Sequence, residues 1–151
     1  MKGFTLIEMM VTFLVLAVVS GVALVGVVTF NQNQGLEDDA KILASEVRRV
    51  YSQATGIFYP PGCAGRLTGY QMTFSDGLND ASTFALCDSQ VSDSRDNILK
   101  TSHFSGTVSF TINAGDGRIT GSPYTITLVS DTNSSLTKQV RISDFGVFEI
   151  L

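Results

Sequence analysis

One histidine, two cysteines and no proline before Pro60 are the scarcities that first shape this 151-residue sequence. A zinc centre takes about four ligands, and His103 is the only nitrogen donor available, so no metal site is expected. The chain also lacks a G-x-S-x-G elbow, an H-E-x-x-H pair and a glycine-rich phosphate loop, the local arrangements that seat a nucleophile, a zinc or a phosphate. His103 beside Phe104 reads as a strand histidine, because no nucleophile can be tied to it as a base. Neither enzyme chemistry nor a cofactor is expected.

Clustered positive charge is scarce too. Ten Lys and Arg stand against fourteen Asp and Glu, a net charge of −4 that becomes more negative in any form without Lys2. Nucleic-acid binding needs grouped cations to neutralise phosphates and release counterions, whereas here only Arg48 and Arg49 are adjacent. Helix neighbours point in diverging directions, so this pair reads as a solvated or subunit-contact edge. The acidic stretches Asp76 to Asp80 and Asp88 to Asp96 do not have the spacing of an EF-hand loop and read as solvated turns. Cys63 and Cys87 are even in number, which suits one disulfide in an oxidising compartment, worth about 3 kcal/mol by loop entropy.

What the sequence has in abundance is apolar residues, concentrated at one end. From Phe4 to Phe30 the only ionisable side chain is Glu8, and as a helix the stretch spans about 40 Å, enough to cross a bilayer. It is not built like an ordinary secretory signal, which carries a basic region, a shorter apolar core and a small-residue cleavage site beyond it. Only Met1, Lys2 and Gly3 precede the apolar run. The choices are a signal-anchor helix or a leader cut before the run. Glu8 bears on both, because a carboxylate in hydrocarbon costs about 2.5 to 3.5 kcal/mol on insertion scales. Near a helix end it can snorkel to the interface; otherwise it needs a partner.

The segment Lys2-Gly3-Phe4-Thr5-Leu6-Ile7-Glu8 closely resembles the prepilin peptidase signature of type IV pilins, minor pilins and type II secretion pseudopilins. The resemblance implies cleavage between Gly3 and Phe4, N-methylation of the new Phe4 amine, and a role for Glu8 in assembly. The implied partners are the prepilin peptidase, other pilins or pseudopilins, an inner-membrane assembly platform and the membrane itself. The residues suit these roles. Gly3 has no Cβ to obstruct a protease, and Lys2 favours the cytoplasmic side. A methylated amine keeps its charge, so Phe4 of one subunit can pair with Glu8 of a neighbour. Many major pilins kink this helix with proline; its absence here points to a minor pilin or pseudopilin, with Gly21 and Gly26 more suited to close packing than to bending.

Downstream, Asn31 to Gly35 suggests a loosened stretch, after which Leu36, Ala40, Leu43, Val47, Val50 and Ala54 recur at helical spacing. Glu37 stands one turn before Lys41, and Glu37 to Asp39 suit the start of a helical segment. Gly56 and Pro60-Pro61 should end the helix. Alternation at Tyr70, Met72 and Phe74, at Val108, Phe110 and Ile112, and at Tyr124, Ile126 and Leu128 predicts strands, with further candidates at 82–88, 98–104, 138–143 and 146–151.

The expected organisation is a leader (1–3), a transmembrane and filament-core helix (4–30), an amphipathic helix (31–55) and a β-rich head (56–151). The fold class is α+β, a long helix packed on an antiparallel head. The order resembles FimT-like minor pilins and H-type pseudopilins, which implies a single-pass inner-membrane subunit with a periplasmic or extracellular head. The leading reading is a minor pilin-like subunit of a type IV pilus; the alternative is a type II secretion pseudopilin. Some FimT-like proteins bind DNA through a basic C-terminal segment, but here Arg141 is the last cation, so nucleic acid is not expected as a partner. A membrane-anchored enzyme is the remaining alternative.

Overall fold

A fifty-residue helix, α1 (Leu6–Thr55), runs without interruption from the apolar segment into the head. At 1.5 Å per residue it is about 75 Å long. The computed structural model describes residues 5–88, 90–93 and 98–151, and for 22–25 the backbone alone. The loosening expected at 31–35 does not occur, since these residues are helical. Gln32 and Gln34 are good helix formers, and Gly35 has a packing reason: a Cβ there would lie 2.9 Å from Thr101 Oγ1. Consequently no helix terminus exists at residue 37, and Glu37 to Asp39 lie mid-helix, away from the dipole end expected to favour them. Glu37 does meet Lys41 at 3.6 Å, and Lys138 at 3.5 Å.

The second half of α1 buries its apolar stripe as the period requires: Leu36, Ala40, Leu43, Val47, Val50 and Ala54 are all in the core. It packs against two antiparallel four-stranded sheets. The first has the order β3-β2-β1-β5, built from β1 (Gly69–Phe74), β2 (Ala81–Leu86), β3 (Gln90–Ser92) and β5 (Val108–Asn113). The second has the order β4-β6-β7-β8, from β4 (Ser102–Ser105), β6 (Tyr124–Ser130), β7 (Thr137–Ile142) and β8 (Phe148–Ile150). Alternation puts Tyr70, Met72 and Phe74 of β1 and Ile126 and Leu128 of β6 inside. Phe74 joins the sheets, its ring centroid 5.0 Å from Phe104 and 5.9 Å from Phe110; such pairs add about 0.5 to 1.5 kcal/mol beyond their buried area.

Two strand expectations need correction. The predicted strand 98–104 begins only at Ser102, because Ile98 and Leu99 are drawn into the core as non-strand residues, with the Leu99 amide bonding Asn79 O at 3.2 Å. The short edge strand β3 was not anticipated, as Gln-Val-Ser carries one apolar residue and no readable period.

The helix ends where the glycine was expected to stop it, with Thr55 its last residue and Gly56 its C-cap. Phe58 N bonds Gln53 O at 2.9 Å and Ile57 N bonds Ala54 O at 3.2 Å, the bond pair of a Schellman motif. Its left-handed position is filled by Ile57, at φ 51°, where a β-branched residue is strained and glycine is usual. Ile57→Gly should therefore raise stability by about 1 kcal/mol, read as a higher urea midpoint; an unchanged or lower midpoint would mean that the Ile57 side chain contributes more than its backbone costs.

Just beyond, Cys63 and Cys87 form a disulfide, Cα–Cα 5.8 Å apart, that ties the segment after α1 to the end of β2 across 24 residues of sequence. Reduction should cost about 3 kcal/mol through regained chain entropy, visible as a lower thermal midpoint in reductant. A midpoint indifferent to reductant would show that packing alone holds this segment.

Candidate functional site

The candidate site is the free half of α1, and it is assembled from local rules. Thr5 occupies the N-cap with extended geometry, φ −77° and ψ 150°, where a short hydroxylated side chain is favoured. Its N and Oγ1 lie 3.5 and 3.4 Å from Glu8 Oε2, long contacts at the outer limit of a hydrogen bond. Glu8 sits in the first turn, the end of the helix dipole that favours an anion. Among the described residues no cation pairs with it.

Around it the surface is apolar and uncovered. Leu6, Ile7, Met10, Phe13, Leu14 and Phe30 are all more than half exposed. Thr12 and Ser20 do not disturb this face, because their hydroxyls donate back to Met9 O and Leu16 O at 2.8 and 2.7 Å, the internal satisfaction that hydrocarbon demands. At Gly21 and Gly26 an added Cβ would meet nothing within 4 Å, so neither glycine is required by packing within the chain. Leu6 to Phe30 spans about 37 Å as a helix, long and apolar enough to cross a membrane. A surface this extensive is stable only in lipid or against other helices, and Glu8 is the one charge that the covering environment must answer.

Gly3 and Phe4, the residues of the expected cleavage and methylation, lie outside the described residues. The structure does not bring Glu8 together with Cys63 and Cys87, which belong to the head. His103 is on β4, its Nδ1 2.7 Å from Asp131 Oδ1, in keeping with a surface strand histidine.

The head contains two polar clusters that sequence reasoning missed. Asp39, 2% exposed, accepts from Lys100 N at 3.1 Å, Thr101 N at 2.8 Å, Thr101 Oγ1 at 2.9 Å and Ser102 Oγ at 2.9 Å. It clamps α1 to the lead-in of β4. Arg49 corrects the expected solvated edge: its side chain is 21% exposed and bonds Glu46 at 2.6 Å and Asp93 at 2.9 Å. Burial alone would lower the Arg49 pKa, but hydrogen bonds and charge from Glu46 and Asp93 outweigh it and raise the value. Asp93 is thus no solvated turn residue, while Asp96 falls outside the described residues. Arg48 stays exposed, its guanidinium 5.2 Å from the Phe148 ring centre. A signal for Asp39 and Glu46 existed: they lie four before and three after Leu43, on the buried stripe.

Residues 1–24 match the family model described as the prokaryotic N-terminal methylation motif, the prepilin signature of type IV pilins. The match ends within α1 and leaves the head outside it. No curated protein and no solved structure matches the chain.

Proposed function

From the premise of a type IV pilin-like chain carrying the prepilin signature, we propose that the protein is a minor pilin-like structural subunit. The signature implies processing by prepilin peptidase and assembly with other pilins in a membrane system. In this reading the leader 1–3 is removed between Gly3 and Phe4, the Phe4 amine is methylated, and the helix waits in the inner membrane as a single span with its head outside the cytoplasm. The assembly platform then lifts it into, or to the tip of, a type IV pilus.

One observation carries the reading: the signature opens a fifty-residue helix whose first half is exposed and apolar, with Glu8 as its lone charge. In a plain anchor that carboxylate is a cost without return. In a filament the charged amine of a neighbouring subunit neutralises it, and the pairing fixes axial register, because every other contact along the helix is apolar and tolerant of sliding. The uninterrupted, proline-free helix favours a minor subunit over a kinked major one.

Gly3→Ala tests the premise. A Cβ at the scissile position should leave unprocessed precursor in the membrane, whereas the wild-type chain should show an N-methylated Phe4 terminus by mass spectrometry. An intact Met1 in cells with active prepilin peptidase would remove every filament reading. Recovery of the mature chain only in secretin-dependent secretion complexes, and never in sheared pili, would move it to the pseudopilins.

A further inference from the structure

The outer edges of the two sheets are not treated alike. Along β4, Phe104 N donates to Leu78 O at 2.9 Å and Phe104 O accepts from Gly77 N at 2.9 Å, so the turn after β1 covers that edge. Along β5, Thr120 N bonds Thr111 O at 3.1 Å and Asn113 N bonds Arg118 O at 3.0 Å. β8 has no such cover among the described residues.

The ladder register shows what β8 presents. It pairs with β7 as Val140↔Ile150, Arg141↔Glu149 and Ile142↔Phe148. In an antiparallel ladder opposed pairs alternate between exchanging hydrogen bonds and not. Leu151 N bonds Gln139 O at 2.9 Å and Ser143 N bonds Val147 O at 3.1 Å, so the bonded series is Gln139–Leu151, Arg141–Glu149 and Ser143–Val147. The N–H and C=O of Phe148 and Ile150 therefore point away from β7, with no protein partner among the described residues.

Proteins blunt edges with short strands, charged side chains, proline or a covering loop; β8 is three residues long and carries the exposed Glu149, but among the described residues neither proline nor a loop covers it. Here the flanking residues are Val147 and Leu151, both exposed, and the inward side chains Phe148 and Ile150 are only half-buried. On the other face β8 borders a groove of about 430 Å³ that includes Pro123, Phe145, Val147 and Glu149.

We propose that β8 is a strand acceptor for an extended segment of a different protein, reading apolar–cation–apolar. The backbone of that segment bonds Phe148 and Ile150. Its apolar side chains complete the cover over those two residues, and its central Lys or Arg stands opposite Glu149. Charge selects the partner: Arg141 already flanks Glu149 on the β7 side, which leaves the outer side to be matched. Two copies joined through β8 about a two-fold at Glu149 would instead oppose like charges, which destabilises a sheet. Strand addition of this kind draws affinity from main-chain bonds and specificity from alternate side chains. The proposal concerns the head alone and stands whether or not the helix enters a filament.

The test uses the full chain in detergent micelles and cyclised β-hairpins, which avoid the ordering cost of a free peptide. One has an edge strand of valine–lysine–valine, a second valine–glutamate–valine, and a third repeats the lysine strand with the two edge amides N-methylated. The lysine hairpin should bind at least tenfold more tightly than the glutamate one, and the methylated hairpin should not bind. In the complex, amide exchange at Phe148 and Ile150 should slow at least tenfold while that of Glu149 stays unchanged, and Glu149→Lys should reverse the lysine–glutamate preference. Equal binding of the methylated hairpin, absence of protection at both amides, or no binding of any hairpin at millimolar concentration overturns the proposal. So does self-pairing of the chain that protects the same two amides.

Discussion

Asp39→Ala should lower the unfolding free energy of the head by about 3 kcal/mol. Asp39 receives two backbone amides and two hydroxyls of residues 100–102, and hydrogen bonds to a charged group contribute about 1.5 to 3 kcal/mol each before losses are shared. Alanine leaves these four donors without their acceptor, and each buried donor left unsatisfied costs about 1 to 3 kcal/mol. Solvent reaching Lys100, which is exposed, keeps the expectation at the lower end. The measurement is urea unfolding of the full chain in detergent, followed by a probe in the sheets. Asp38→Ala, one residue away and 67% exposed at its side chain, is the control and should fall within about 0.5 kcal/mol of wild type. Equal effects at the two positions would mean that the clamp contributes nothing beyond surface charge. The same variant should loosen α1 from the second sheet before the first, since Asp39 holds the lead-in to β4.

Glu8→Ala should leave processing intact and reduce incorporation into filaments at least tenfold. The substitution removes the insertion cost of a carboxylate, about 2.5 to 3.5 kcal/mol, so the precursor should sit in the membrane at least as well as wild type. In the filament proposed above it would lose the pairing with a neighbour's terminal amine, and an unneutralised amine in an apolar bundle carries a desolvation penalty of several kcal/mol. Glu8→Gln keeps shape and hydrogen-bonding capacity without charge and should behave as Ala does. Comparing sheared filaments with membranes by immunoblot separates the two steps. Normal incorporation of either variant would take Glu8 out of assembly and return it to a snorkelling role near the helix end.

The long helix and most strands were legible because their periods are clean: the stripe Leu36 to Ala54 and the alternations in β1, β5 and β6 report only burial, which side-chain spacing encodes directly. The errors have a common cause. Residues 31–35 have the polar composition of a loose stretch, whereas the packing of Gly35 on Thr101 comes from a residue 66 positions away. Ile98 and Leu99 looked like strand because apolar loop residues that plug a core carry the same local signal. Arg49 looked solvated because its partner Asp93 lies 44 residues away, a distance no local period spans. Ile57 in the left-handed cap position ran against the preference for glycine one residue earlier.

Composition and order along one segment specify the membrane-length helix, the lone carboxylate within it and the prepilin signature. How the head is held depends instead on contacts between distant residues. The Asp39 clamp, the Glu46–Arg49–Asp93 cluster and the open β8 edge arise from residues far apart in the chain. Their meaning comes from which donors, charges and strand edges the fold brings together or leaves uncovered, and long-range proximity of that kind has no local sequence signature.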